Sequence, residues 1–358
     1  MKKIILAVIC CVMFIGAVSC NDTDFKNDTT LTDIASKIEE QTEKIESLAE
    51  SQGLEFVSNG DGTCYVSGIG SCTDKNIVFP TVSPTGDIVT SIANHAFYSL
   101  DHIESIIVSN SITRIGAYAF SECINLSAVI IPDSVVILGQ AAFSSCEKLE
   151  AVTMSRNMVA IEDYTFSNCK NLKSIILYPS IHSIGYKAFE QCIDLENITI
   201  PDRVNIIEGY AFSGCEKIIN MIIPSSVTDI GGGIFAGCKN LIHISVESKN
   251  PCYMSIDNCI ISGNEIVTTC NNFIIPNDTS ITSLGPYSIS HVSTTSITIP
   301  KNIINIDFMA ITGCSDLKSI FYEGDIGDWN LITKDQYWFM NNADCYIYCS
   351  DGIISTAS

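Results

Sequence analysis

The sequence predicts a repeat solenoid in which each coil adds one short strand to a single parallel sheet. Three columns of residues recur every 23 positions between 103 and 241. A fixed period between about 20 and 50 residues marks a solenoid or an array. The columns are Phe120, Phe143, Phe166, Phe189, Phe212 and Phe235; Cys123, Cys146, Cys169, Cys192, Cys215 and Cys238; and Leu126, Leu149, Leu172, Leu195, Ile218 and Leu241.

Each repeat contains a short β-branched segment closed by proline, as in Val129-Ile130-Ile131-Pro132. Such a segment predicts a short strand, because proline cannot donate the next hydrogen bond. Strands from successive coils would stack about 4.8 Å apart into a parallel sheet. Alternation places Val129 and Ile131 inside and Ile130 on the opposite face. Residues 134–146 are expected to return the chain through a turn or a short helical segment.

The repeat motif resembles a known family. Residues 126–146 follow the pattern L-x-x-I-x-I-P-x-S-V-x-x-I-G-x-x-A-F-x-x-C, with Val129 and Leu138 at two of the isoleucine positions. This pattern resembles the leucine-rich repeat, specifically the 23-residue BspA-like class of bacterial surface proteins. The resemblance covers about 77–317. It implies a right-handed solenoid used for binding or adhesion outside the cell, and it implies no shared catalytic residues.

Composition excludes some classes of function. The chain has 358 residues, a net charge of −21 and an isoelectric point near 4.4. A nucleic-acid or anionic-membrane binder is expected to be basic, so both are disfavoured. Mean hydropathy is positive, at +0.28. Apolar runs after residue 20 are nevertheless far shorter than the roughly 20 residues of a membrane span.

The N-terminus predicts export and a lipid anchor. Residues 1–20 have two lysines before an apolar stretch, the layout of a signal peptide. The stretch ends Ala17-Val18-Ser19-Cys20, which resembles a bacterial lipobox and makes Cys20 the lipid attachment site. Following Asp22 and Asp24 resemble signals for the outer face of the outer membrane. The expected location is the outer membrane, exposed at the cell surface; the alternative is an ordinary signal peptide cleaved nearby.

Residues 21–53 are predicted to form a polar tether and a helical stalk. A heptad seam runs from Leu31 to Gln52, and Gly53 is a helix-ending residue. A helix this short is marginal alone in water. Self-association through residues 31–52 is one expectation, and an unpaired fluctuating helix is the other.

The remaining chain is divided by the register of the columns. We expect an N-terminal cap and first strand at 54–92, regular repeats at 93–249, an inserted hairpin at 250–272 and degenerate repeats at 273–319. Residues 320–358 contain Trp329 and Trp338 and are predicted to form a C-terminal cap. A separate binding lobe is the alternative for this last segment.

The positions of the cysteines predict a structural role and not a catalytic or metal-binding one. The cysteine column is expected to act as a row of small buried hydrophobes with weak S–H donors. Cys64 and Cys72 form a candidate disulfide, because an exported protein meets an oxidising compartment. Neither the cysteines nor the histidines have the spacing of a metal site or of a catalytic motif. We therefore predict no metal, no cofactor and no catalytic residue.

The outward face of the strands is the predicted binding surface. Its partner would be an extracellular protein or a glycan. One alternative is a structural component of an outer-membrane complex. Another is an accessory glycan-processing enzyme, for instance a glycan hydrolase, which needs a cleft with clustered carboxylates or histidines near 250–272 or 320–350. The candidate residues of the face are Ile107, Ile130, Thr153, Ile176, Tyr178, Thr199, Ile222 and His243.

Overall fold

The computed structural model describes residues 49–356. Contacts divide the chain into one unit ending at Ser51 and a second unit, Gln52–Ser358, and the following concerns the second unit. The signal peptide, Cys20, the tether and nearly all of the predicted stalk lie outside the described residues. Among the described residues, no helix is long and apolar enough to cross a membrane.

The first coils begin with an antiparallel hairpin. Strands β1 (Glu55–Ser58) and β2 (Thr63–Gly68) pair across a turn that contains Gly60 and Gly62, both with positive φ. Strand β2 then pairs in parallel with β4 (Ile88–Ile92). The hairpin therefore covers the end of the second strand row described below, as a terminal element of a solenoid must.

The predicted β-branched segments form the first row of parallel strands. Val129 and Ile131 are 1% exposed while Ile130 is half-buried, so the predicted alternation is confirmed. At Ser174 and Asn197 the row narrows to a single bridge. Its strands are β3 (Asn76–Val78), β5 (Ser105–Ile107), β7 (Ala128–Ile130), β9 (Ala151–Thr153), β13 (Asn220–Ile223) and β15 (His243–Val246).

A second row of two-residue strands runs through the segment that the sequence predicted as a turn or helical return. Ile115 pairs with Leu138, and Ile161 pairs with Ile184, each one coil onward. After β4 the row contains β6 (Arg114–Ile115), β8 (Ile137–Leu138), β10 (Ala160–Ile161), β11 (Ser183–Ile184), β12 (Ile206–Ile207) and β14 (Asp229–Ile230). The return half of each coil is thus itself hydrogen-bonded to its neighbours.

The three predicted columns are stacked inside the coils. The rings of Phe143 and Phe166 lie 5.9 Å apart with an interplanar angle of 5°. Consecutive rings from Phe97 to Phe235 are 5.2–6.1 Å apart and stacked throughout. Stacked, offset aromatic pairs add stabilisation beyond the apolar area they bury. The repeat solenoid of parallel strands is therefore confirmed.

A three-stranded antiparallel element interrupts the coils after β15. It contains β16 (Met254–Ile256), β17 (Cys259–Ser262) and β18 (Glu265–Thr269), within the segment predicted as a hairpin. Side chains of β17 alternate between two buried clusters: Ile260 packs with the coils before it, and Cys259 and Ile261 pack with the coils after it. This element is a wall between two hydrophobic cores, which we call the first core and the second core.

Parallel pairing resumes after the wall and ends in an aromatic cap. A six-residue helix, α1 (Ile326–Leu331), is capped by Asp325 and buries Trp329 against Tyr322 and Trp338. The later strands are β19 (Ser283–Leu284), β20 (Ile289–Ser290), β21 (Ser296–Ile299), β22 (Asn305–Ile306), β23 (Ile311–Thr312), β24 (Ser319–Tyr322), β25 (Thr333–Lys334), β26 (Phe339–Met340), β27 (Tyr346–Cys349) and β28 (Gly352–Ser355).

Candidate binding surfaces

The predicted binding residues fall on one face of the first strand row, which we call the strand face. Ile107 lies opposite Ile130, and Ile130 lies opposite Thr153. Farther along, Asn220 pairs with His243, which places His243 on the strand next to Ile222. Residues predicted from a period in the sequence are therefore neighbours in space.

Exposure increases along the strand face. Ile107, Ile130, Thr153 and Ile176 are half-buried, while Thr199 and His243 are exposed. Ile222 is 60% exposed, and Ile219 and Ile242 nearby are 52% and 36% exposed. Exposed apolar side chains that gather in one place often mark a partner site, whereas scattered ones do not. The coils at β13 and β15 are thus the part of the strand face best suited to bind.

A shallow hollow lies at the same place. It has a volume of about 500 Å³ and is lined by residues of three consecutive coils, including Thr199, Lys217, Ile219 and Asn240. Lys217 donates to Asp194 at 2.8 Å, so its charge is already compensated. Amide and hydroxyl groups beside exposed isoleucines provide both hydrogen bonds and apolar contact, as interface surfaces commonly do.

Tyr178 lies at the end of its strand segment, where neighbouring repeats have Pro132, Ser155 and Pro201. It is half-buried and packs against the first core. The guanidinium of Arg156 lies 5.9 Å from the centre of its ring, within the range of a cation–π contact. Tyr178 is thereby engaged within the protein, although it is partly exposed at the edge of the strand face.

The cysteine column has a structural function that the geometry makes clear. Each Sγ donates to the backbone carbonyl oxygen of the phenylalanine 26 residues earlier, as Cys146 does to Phe120 at 3.2 Å and Cys192 does to Phe166 at 3.1 Å. The same bond joins every column cysteine from Cys123 to Cys238. The carbonyls from Phe120 to Phe212 already accept from the backbone N–H of the cysteine three residues on, so each thiol adds a second hydrogen bond that joins its coil to the preceding one.

Burial suppresses the reactivity of these thiols. Burial raises the pKa of Cys123 and of Cys238 to about 12, and the pKa of Cys192 is raised in the same direction. The thiolate is the reactive form, so a raised pKa makes a cysteine inert. Cys64 and Cys72 are both buried and both free, so the structure does not contain the disulfide predicted between them. Cys64 donates to the carbonyl oxygen of Asp87 at 3.7 Å instead.

In the part of the chain that the structure describes, the histidines and acidic residues are not grouped as metal ligands. No group of three His, Cys, Asp or Glu side chains within residues 49–356 is placed to hold a metal ion. His291 Nδ1 lies 2.9 Å from the hydroxyl of Ser290, and burial lowers the pKa of His291. Ser290 is itself buried, 5% exposed. The Ser290 hydroxyl is thus covered, whereas His291 itself is exposed.

A second surface row was missed by sequence reasoning. Aromatic rings on the turn segments contact one another edge to face, each 5.5–6.1 Å from the next. We call it the aromatic row, and its members are Tyr164, Tyr186, Tyr210, Tyr287, Phe308 and Tyr337. Tyr186 is one residue out of the 23-residue register, and 77 positions separate Tyr210 from Tyr287, so no fixed period finds the row.

Comparison with known proteins agrees with the fold. A model of the "BspA type Leucine rich repeat region (6 copies)" matches residues 90–218, 160–267 and 263–343. No curated protein sequence matches the chain. The fold is similar to that of a leucine rich cell surface protein from Faecalibacterium prausnitzii, with a TM-score of 0.61 and 20% identity over 81% of this chain and 99% of the other.

A second solved structure also aligns with the chain. It is a leucine-rich repeat protein from Bacteroides ovatus, with a TM-score of 0.49 and 23% identity, and the alignment covers 82% of this chain and 66% of the other.

Proposed function

Because the chain belongs to the BspA-type leucine-rich repeat family, we propose that it is a non-catalytic binding protein of the bacterial cell surface. Its ligand is an extracellular protein or glycan, and binding supports adhesion. The signal peptide and the lipidated Cys20 expected from the sequence would hold it in the outer membrane. One similar solved protein is described as a cell surface protein, which supports exposure at the cell surface.

The observation that carries the proposal is the exposed part of the strand face. Ile222 is 60% exposed on a strand that is hydrogen-bonded to β15, and Ile219 borders the adjoining hollow. Exposed isoleucines contribute nothing to the core, so their side chains are free to be buried by a ligand. The rigid, repeated backbone beneath them keeps that surface preorganised, which reduces the entropic cost of binding.

A pair of charge substitutions tests the proposal. Ile222→Lys should abolish most adhesion of cells that display the protein to immobilised extracellular-matrix proteins and mucin, because a lysine disrupts apolar contact. Val159→Lys is the matched control: Val159 is 57% exposed but lies at the edge of the second strand row. Adhesion should fall to the level of the gene deletion with Ile222→Lys and stay unchanged with Val159→Lys.

Two outcomes would contradict the proposal. One is equal adhesion of wild-type and deletion cells on every surface tested. The other is protection of the folded protein from protease added to intact cells, which would place it away from the outside. Cell lysates treated in parallel show whether the protease can cut the protein at all.

A further inference from the structure

The aromatic row continues across the wall between the two cores, although the internal phenylalanine stack does not. The stack of inner rings ends at Phe235. The outer row instead passes from Tyr210 to Tyr287, whose ring centres are 5.5 Å apart, and on to Tyr337. Continuity of the row is therefore not a by-product of the repeat, since the repeat is broken at this point.

Glycines permit the contact between Tyr210 and Tyr287. A Cβ on Gly232 would lie 2.9 Å from Cδ2 of Tyr287, and a Cβ on Gly233 would lie 2.9 Å from Cε1 of Tyr210. Any side chain at either position would push a ring aside. The run Gly231-Gly232-Gly233 thus leaves the space in which the two rings meet.

A groove runs beside the middle of the row. It has a volume of about 810 Å³, and its walls include Tyr186, Tyr210 and Tyr287. Gly214 and Gly237 border it at positions with φ of +71° and +72°. The equivalent positions of earlier coils have Glu122, Ser145, Asn168 and Gln191. Loss of the side chain in consecutive coils opens the groove beside Tyr210 and Tyr287.

The charges around the groove nearly cancel. Lys187 is 2.7 Å from Glu190, and Lys239 is 2.6 Å from Glu216. Asp316 adds one more carboxylate to the lining. Lys187 Nζ also lies 5.6 Å from the ring centres of both Tyr186 and Tyr210. Its ammonium group therefore contacts both rings as well as Glu190. Two lysines against three carboxylates, on a chain of net charge −21, disfavour a polyanion.

We propose that the aromatic row and its groove bind a linear, uncharged polysaccharide. A sugar ring has an apolar face of C–H groups and a rim of hydroxyls, so it needs a flat apolar contact beside hydrogen-bonding side chains. Tyrosine rings and the polar groups Glu190, Gln191, Ser213 and Ser315 supply both. The rings repeat at 5.5–6.1 Å, which fits a ligand that itself repeats at short intervals, unlike the surface of a folded protein.

This site goes beyond the function proposed for the strand face and uses a different segment of the coil. Tyr210 lies in a turn segment, whereas Ile222 lies in β13. The two proposals can therefore fail separately. Ile222→Lys should leave polysaccharide binding unchanged, and substitutions in the aromatic row should leave strand-face adhesion to proteins unchanged.

Calorimetric titration of the full chain tests the site. The probes are the uncharged hexasaccharides cellohexaose, xylohexaose, mannohexaose, laminarihexaose and chitohexaose, the corresponding disaccharides, and hexagalacturonate as the anionic comparison. At least one uncharged hexasaccharide should bind, its disaccharide should bind more weakly, and hexagalacturonate should not bind. Tyr186→Ala and Tyr210→Ala should each lower the affinity by about tenfold, because each removes one ring contact.

The matched control is Tyr118→Ala. Tyr118 occupies the same repeat position as Tyr210 and has the same φ of 56°, but it stacks on His95 away from the row. This variant should keep wild-type affinity, and Gly232→Ala should weaken binding by displacing the ring of Tyr287, although no tyrosine is removed. Circular dichroism of each variant establishes that it is folded. Absence of binding by all five uncharged hexasaccharides, or an equal loss with Tyr118→Ala, would overturn the proposal.

Discussion

The coils before and after the wall of β16–β18 have the same backbone pairing but different interiors. Before it, identical phenylalanines stack and each column thiol donates to a phenylalanine carbonyl at 3.1–3.2 Å. After it, Ile289 and Ile311 occupy the core, and Cys314 lies at the longer distance of 3.7 Å from the carbonyl of Ile289. The same pattern of backbone hydrogen bonds therefore accommodates different core side chains, provided that they fill the interior of each coil.

The interior columns and the aromatic row respond differently to the wall. Interior columns can change when a wall divides the core, since each coil interacts only with its neighbours. The aromatic row lies outside and continues past the wall, from Tyr210 to Tyr287. The persistence of this external row where the internal repeat stops is the observation behind the proposed polysaccharide site.

The largest effect is expected in the first core. Phe166→Ala should lower the free energy of unfolding by about 3–5 kcal/mol, because it leaves a cavity in the middle of the phenylalanine stack. Hydrogen exchange should quicken most in coils from 143 to 212. Ile311→Ala should quicken exchange in the second core instead. A uniform increase over both cores with either variant would show that the wall does not separate them.

The wall itself can be tested with adjacent residues. Ile260 packs with the first core and Ile261 with the second, and both are at most 1% exposed. Each change to alanine should cost about 2–4 kcal/mol, since both remove a fully buried isoleucine side chain. Exchange should quicken before the wall in Ile260→Ala and after it in Ile261→Ala. The same pattern in both variants would contradict the division into two cores.

The last expected effect concerns alkaline pH and is measured one thiol at a time. Burial raises the pKa of the column thiols, to about 12 for Cys123, from an ordinary value of 9.0. Their stabilisation is complete below pH 9 and is lost as the pH rises from 9 toward 12. Each such thiol should lower the free energy of unfolding by up to about 1.4 kcal/mol per pH unit in that range.

Urea denaturation between pH 8 and pH 11 checks this slope. Cys146→Ser keeps a donor for the carbonyl of Phe120 but does not titrate in this range. The free energy of unfolding should therefore fall less steeply with pH, by the contribution of one thiol. An unchanged slope in Cys146→Ser would contradict a raised pKa for this buried thiol.

The sequence predicts features that have a distinctive residue pattern and misses those that have none. Phe143, Cys146 and Leu149 predict the coil because each belongs to a column with a constant spacing of 23 residues. Ile130 predicts the outer face because side chains alternate along a strand. The second strand row was missed because Ile137–Leu138 is too short to show alternation. Left-handed positions such as Tyr118 and Glu122 were missed because they lack glycine, the usual signal for positive φ.

The candidate sites divide in the same way. The strand face could be predicted because Ile107, Ile130 and Thr153 share one register. The aromatic row could not be predicted, because Tyr186 and Tyr287 depart from the 23-residue register. Their rings contact those of their neighbours only in the folded chain. Export and lipidation at Cys20 stay predictions, since residues 1–48 lie outside the described part of the chain.

The most direct test of the account compares two residues of one coil. Phe212 is fully buried in the stack, and Tyr210 lies in the aromatic row. Calorimetric titration with the uncharged hexasaccharide bound by the wild type, combined with urea denaturation, measures both properties. Phe212→Leu should lower stability by about 1 kcal/mol and keep the affinity of the folded protein, whereas Tyr210→Ala should lower the affinity by about tenfold. If Phe212→Leu weakens binding as much as Tyr210→Ala does, interior and surface are not independent, and the account is contradicted.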